Sequence, residues 1–118
     1  MMVMIVDDSS TMRKITALAL ASQQYQYIEA ENGKDALDKL GGQKIDLFIV
    51  DVNMPVMNGF DLVRALRAKP ELSRTPILML TTENDQGLIQ EGKNIGVNSW
   101  MVKPFKNEDL MAAIKTLS

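Results

Sequence analysis

Asp7, Asp8 and Asp51 each stand just past an apolar run that reads as a buried strand, and Thr81 and Lys103 stand just past two more. The runs are Val3-Met4-Ile5-Val6, Leu47-Phe48-Ile49-Val50, Ile77-Leu78-Met79-Leu80 and Trp100-Met101-Val102. If these strands are parallel, the five polar groups meet at one edge of one sheet. Three carboxylates drawn together without a counter-ion repel one another and resist ionising at once. A divalent cation relieves that conflict, and with hard oxygen donors but no histidine or cysteine in the chain, magnesium suits it better than zinc. A hydroxyl and an ammonium beside such a cation can hold a phosphoryl group. Each residue also has a plainer reading. Asp7, Asp8 or Ser9 could cap the first helix, and Asp51 could open a turn that continues through Asn53, Pro55, Asn58 and Gly59. Thr81 could bond only to backbone, and Lys103 could be a solvated surface lysine.

The elements that must position these groups alternate along the chain. After the strand at 3–6, Met12, Ile15, Leu18 and Ala19 follow a helical spacing over 9–22. The segment 25–30 sets Gln26, Ile28 and Ala30 against Tyr25, Tyr27 and Glu29, as a half-exposed edge strand does. Asn32-Gly33 opens a short helix with Ala36, Leu37 and Leu40, closed by Gly41-Gly42. A third strand spans 45–50, and Phe60, Val63 and Leu66 mark the helix after it. Thr75-Pro76 introduces a fourth strand, 85–96 is a helix, and 99–102 is a fifth strand. Asn107 is the expected cap of a final helix whose stripe is Leu110, Ile114 and Leu117. Continuous apolar strands alternating with helices imply a parallel sheet covered on both faces, doubly wound through right-handed crossovers. Ligands of such sheets bind beyond the carboxyl ends of the strands, where the winding order reverses.

Composition narrows the function. The chain has 118 residues, which suits one domain spanning 1–118, and a net charge of −2 with no basic stripe, which argues against nucleic acid. The longest apolar run, 1–6, is far short of a membrane span or a typical signal peptide, so the expected location is cytoplasmic. Without cysteine there is no disulfide or thiolate nucleophile, and without histidine there is no imidazole base and no phosphohistidine of the chain's own. Chemistry must run on carboxylate, hydroxyl, ammonium and metal. The nine methionines are read as adaptable core filler.

Four segments in order, Ile5-Val6-Asp7-Asp8-Ser9, Asp51-Val52-Asn53-Met54-Pro55, Thr81-Thr82-Glu83 and Lys103-Pro104-Phe105, resemble the signature of response-regulator receiver domains, and among them the single-domain chemotaxis regulators of the CheY type. The resemblance covers essentially the whole chain. It implies a flavodoxin-like α/β fold with strand order 2-1-3-4-5 and no output domain. It implies that Asp51 is the phosphoacceptor, and that Mg²⁺ is bound by Asp8, Asp51 and the main-chain carbonyl of Asn53, with Asp7 acting through a water. Lys103 and Thr81 would contact the phosphoryl group, and the Lys103–Pro104 bond would be cis. Thr81 and Trp100 would couple the site to a partner surface that includes Lys93, Ser99 and Met101. Asn53 and Glu83 would tune the life of the phosphate. The bulk of Thr82 predicts slow hydrolysis, and Val52 stands where some chemotaxis regulators carry an aromatic.

The implied partners are a histidine kinase of the CheA type as phosphodonor and, on the output side, a flagellar motor switch protein or a phosphatase, with the unphosphorylated protein a monomer. A phosphate sink or phosphorelay intermediate is the alternative within the family. Outside it, a haloacid-dehalogenase-type Mg²⁺-dependent phosphatase would prefer Asp-x-Asp after its first strand, and a flavodoxin-like FMN carrier would place a phosphate among three acids. The glycines Gly87 and Gly92 inside the fourth helix, each costing about 1 kcal/mol against alanine, predict that this helix is the least stable of the five.

Overall fold

The computed structural model describes residues 1–82 and 86–118. Strands β1 (Met2–Val6), β2 (Gln26–Ala30), β3 (Leu47–Asp51), β4 (Ile77–Thr81) and β5 (Ser99–Val102) form one parallel sheet in the order β2-β1-β3-β4-β5. Helices α1 (Ser10–Ser22), α2 (Gly33–Leu40), α3 (Gly59–Arg67), α4 (Gln86–Ile95) and α5 (Asn107–Leu117) connect them, with a 3-10 turn at Pro70–Leu72. No described helix is long and apolar enough to cross a membrane.

Alternate strand residues face opposite sides of a sheet, so the continuous apolar runs fill two cores. Met4, Val6, Phe48, Val50, Ile77 and Met79 meet α2 and α3 on one face. Val3, Ile5, Leu47, Ile49, Leu78 and Leu80 meet α1 and α5 on the other. The helix starts are set by side-chain caps. The Ser9 hydroxyl accepts from the Met12 N–H at 3.2 Å, Asn32 from Asp35 at 2.8 Å and Asn58 from Asp61 at 2.9 Å. Gly41, at φ +31°, closes α2 in the left-handed conformation that glycine adopts without penalty.

Two expectations need correction. The stripe Met12, Ile15, Leu18, Ala19 is not the buried face of α1, because Ile15 is 42% and Leu18 73% exposed while Thr16, Ala17, Ala19 and Leu20 are buried. The face on the sheet runs through 13, 16, 17 and 20, an i, i+3, i+4, i+7 set whose Arg13 and Thr16 disguise it in the sequence. Asn107 is the first helical residue of α5 rather than its cap; Lys106 precedes it without a side-chain capping bond.

At the lower end of α4, Arg67 reaches across from α3. Its guanidinium donates to the carbonyls of Gly96 (2.7 Å) and Leu72 (2.7 Å) and to Asn98 Oδ1 (2.8 Å), which joins α3, the 3-10 turn and the loop into β5.

Candidate metal centre

The register explains how residues distant in sequence meet. Val6 lies opposite Val50, so Asp7 and Asp51 emerge side by side from neighbouring strands. Asp51 is aligned with Leu80, and Thr81 with Val102, so Thr81 and Lys103 follow along the same edge. Gly59 holds the other side of Asp51. Its N–H donates to the Val52 carbonyl at 2.9 Å, and a Cβ there would collide with the Asp51 carbonyl oxygen. Only glycine lets α3 start so close to the end of β3.

Asp7, Asp8 and Asp51 each bring a carboxylate oxygen within 4.8 Å of the other two. Asp7 and Asp51 are buried and Asp8 is exposed, so the cluster opens to solvent on one side. The ammonium of Lys103 lies 3.0 Å from Asp7 Oδ2 and 3.1 Å from Asp51 Oδ1. Asp7 Oδ1 accepts the Ser9 N–H at 2.9 Å, and its main-chain carbonyl accepts Arg13 Nη1 at 2.6 Å. The backbone N–H of Lys103 donates to the Thr81 carbonyl at 2.6 Å, and the Lys103–Pro104 peptide is cis.

Burial raises the pKa of Asp51 to about 6, the charge of Asp7 adding to it, Lys103 opposing and Asp8 adding again. Burial works against the Lys103 ammonium too, but the hydrogen bond and charge of Asp7, then those of Asp51, outweigh it and raise its pKa above the ordinary lysine value. Three carboxylates against one ammonium leave two negative charges at the sheet edge, with an all-oxygen donor set open to water. That is a fit for a hard divalent cation that keeps several water ligands.

The remaining expected residues are dispersed. Thr81 is fully buried at the end of β4. Asn53 is exposed two residues past Asp51, and Glu83 lies outside the described residues. Trp100 is not at the cluster. Its ring stacks on Phe60, centroids 6.2 Å apart, and lies against Gly92, where a Cβ would sit 3.0 Å from Cζ3. Its indole N–H is buried with no acceptor among the described residues. Ser99 and Met101 are half-buried and Lys93 exposed. Sequence reasoning missed Arg13 and Gly59, whose contacts depend on strand register and helix approach. A cavity of about 750 Å³, lined by Leu40, Lys44, Ile45, Pro70 and Pro76 among others, has no part in the cluster.

Residues 3–115 match the family described as the response regulator receiver domain. The chain is a member of that family. It is 39% identical to the chemotaxis protein CheY1 of Helicobacter pylori strain J99 over 119 residues, 99% of this chain and 96% of the relative. It is 40% identical to the chemotaxis protein CheY of Pseudomonas aeruginosa, over 99% and 95% of the two chains. The solved structure of the chemotaxis protein CheY4 of Vibrio cholerae superposes with a TM-score of 0.95 at 41% identity, covering 99% of this receiver and 98% of that chain. Receivers bind Mg²⁺ at an acidic aspartate cluster, and this receiver's cluster is Asp7, Asp8 and Asp51. Its strand order is that of the flavodoxin-like relatives. As a CheY-like receiver it is a signalling protein of two-component systems, in which a histidine kinase is the phosphodonor.

Proposed function

We propose that Asp51 accepts a phosphoryl group from a phosphohistidine of a partner kinase in a Mg²⁺-dependent reaction, and that the phosphorylated receiver signals by binding a partner in chemotaxis. The observation that carries this reading is the Lys103 ammonium held 3.1 Å from Asp51 and 3.0 Å from Asp7 inside the carboxylate cluster. A pKa of about 6 leaves Asp51 largely ionised at pH 7, so the nucleophilic form is the resident one. An Asp51 carboxylate oxygen attacks phosphorus. The new O–P bond forms as the P–N bond breaks, and its electron pair stays on the departing imidazole. Lys103 shifts from the two carboxylates to the phosphoryl oxygens as a mobile point charge, and the Thr81 hydroxyl donates to the same group. Asp8, Asp51 and the Asn53 carbonyl would hold Mg²⁺, with Asp7 acting through a water; bound there, it supplies charge neutralisation and in-line alignment.

An open edge rather than an enclosed pocket suits a phosphoryl group carried on another protein. Ile15 and Leu18, exposed on the helix that begins beside Asp8, offer an apolar strip for that donor. On the output side Trp100 carries the readout: as Thr81 turns toward the phosphoryl group, the ring swings from its seat on Phe60 and Gly92 toward the space left behind. Lys93, Ser99, Trp100 and Met101 then present a changed face to a motor switch protein. Asn53, Thr82 and Glu83 set the lifetime of the acyl phosphate, and the receiver works in the cytoplasm.

Intact mass after incubation with acetyl phosphate and Mg²⁺ tests the core of this. A labile gain of about 80 Da, one transferred phosphoryl group, is expected in wild type and absent in Asp51→Asn. An adduct that survives in Asp51→Asn would overturn the assignment.

A further inference from the structure

Asp8 is exposed, and among the described residues its carboxylate makes no hydrogen bond or ion pair, so the backbone alone aims it. The backbone of that corner is held from an unexpected side. The Asp7 N–H donates to Ala30 at 3.1 Å, continuing the parallel ladder with β2. In such a ladder the Asp7 carbonyl would next take a bond from residue 32. But β2 stops at Ala30, and Asn32 turns away to cap α2. Arg13 fills the gap. Its Nη1 donates to the Asp7 carbonyl at 2.6 Å, while Nε lies 3.3 Å from Glu29 Oε1 on β2. Glu29 is itself braced, since its carbonyl accepts Lys39 Nζ at 2.7 Å and Lys39 pairs with Asp35 at 3.1 Å. Arg13 is anchored at its other end by its own N–H to the Ser9 carbonyl, 3.0 Å.

We propose that Arg13 is a positioning residue of the metal centre: it fixes the Asp7 carbonyl where the ladder ends, and so sets the aim of the consecutive Asp7 and Asp8 carboxylates, with Glu29 as its strut. The charges that act on Asp51 are those of Asp7, Lys103 and Asp8, so Arg13 works through geometry. The inference rests on the Mg²⁺ reading of the cluster.

The test is the Mg²⁺ dissociation constant by titration calorimetry on folded protein, with metal-free melting temperature recorded beside it, for wild type, Arg13→Ala, Arg13→Lys and Glu29→Gln. Residues that orient metal ligands change affinity by 10- to 100-fold. Arg13→Ala is expected to weaken Mg²⁺ binding about tenfold, within that range. Arg13→Lys, which keeps one donor for the carbonyl, falls between it and wild type, and Glu29→Gln loses less than Arg13→Ala. A merely structural Arg13 would lower the metal-free melting temperature and leave the dissociation constant unchanged, which would overturn the proposal. If Arg13→Ala does not fold, Arg13→Lys and Glu29→Gln decide, and wild-type affinity in both overturns it. A wild type that binds no Mg²⁺ would bring down the metal reading and this inference together, whereas equal affinities in all four proteins would bring down this inference alone.

Discussion

The two sides of the site are built to different standards. On the central side, every residue of β3 is buried, and α3 buries Gly59, Phe60, Leu62, Val63 and Leu66 behind an Asn58 cap. On the edge side, three of the four residues of β5 are half-buried and Val102 is exposed, and Gly92 is the buried residue of α4 among those described. The central side holds the carboxylates, where an error in aim would be felt by a bound cation. The edge side holds Lys103 and Trp100, which must move if phosphorylation is to be read. Burial is deepest in β3 and α3 and lighter in β5 and α4, while Thr81 on β4 is itself fully buried.

The contrast can be broken most directly by truncation. Leu62→Ala, at a fully buried α3 position, should cost about 2–5 kcal/mol. Leu88→Ala in α4, half-buried, should cost roughly 1 kcal/mol. Urea unfolding with an unchanged slope measures both, and equal losses would remove the distinction.

A second test asks whether the central side can relax. Below the ordinary aspartate pKa of 3.8, Asp51 is protonated folded and unfolded, and it has no effect on stability. Between 3.8 and about 6 the folded state keeps a proton that the unfolded state has lost, so metal-free stability falls as pH rises. The full penalty is in place above about pH 6. Thermal melts from pH 4 to 7 should show this fall, and Asp51→Asn should flatten it. If β1 and β3 gave way, the carboxylates would separate and the wild type would show no excess slope.

The smallest effect separates the two glycines of α4. Gly87 is exposed, so Gly87→Ala should gain up to 1 kcal/mol, which slows amide exchange across the helix by about fivefold. At Gly92 the new methyl meets Trp100, so the gain should be cancelled or reversed and the indole emission should shift. Identical behaviour of the two variants would mean that α4 is not fitted to the ring.

Much of this was legible because apolar runs such as Leu47–Val50 and Ile77–Leu80 are too continuous for anything but strands buried on both faces, and the polar residue after each marks the sheet edge. Asn32 announces its helix through short-range capping, whereas Ser9 is one of three candidate caps in the sequence and Asn58 reads there only as a turn former. What escaped depended on tertiary contact. Arg13 and Thr16 sit on the inner face of α1, where polar identity hid the stripe. Arg13's partner is a carbonyl freed only because β2 ends two residues early. Gly92 reads as a helix weakener in sequence, yet it is the surface on which an indole rests.

Arg67 gives α4 a fulcrum. With Gly96 and Asn98 tied to α3 and the 3-10 turn, the lower end of the helix is a fixed bearing. Its ten residues make a lever arm of about 15 Å. A tilt of about 10° at that bearing carries the far end through about 2.6 Å, the arm length multiplied by the sine of the angle. A small push at the free end of the helix would therefore appear as a change of slope along its whole length.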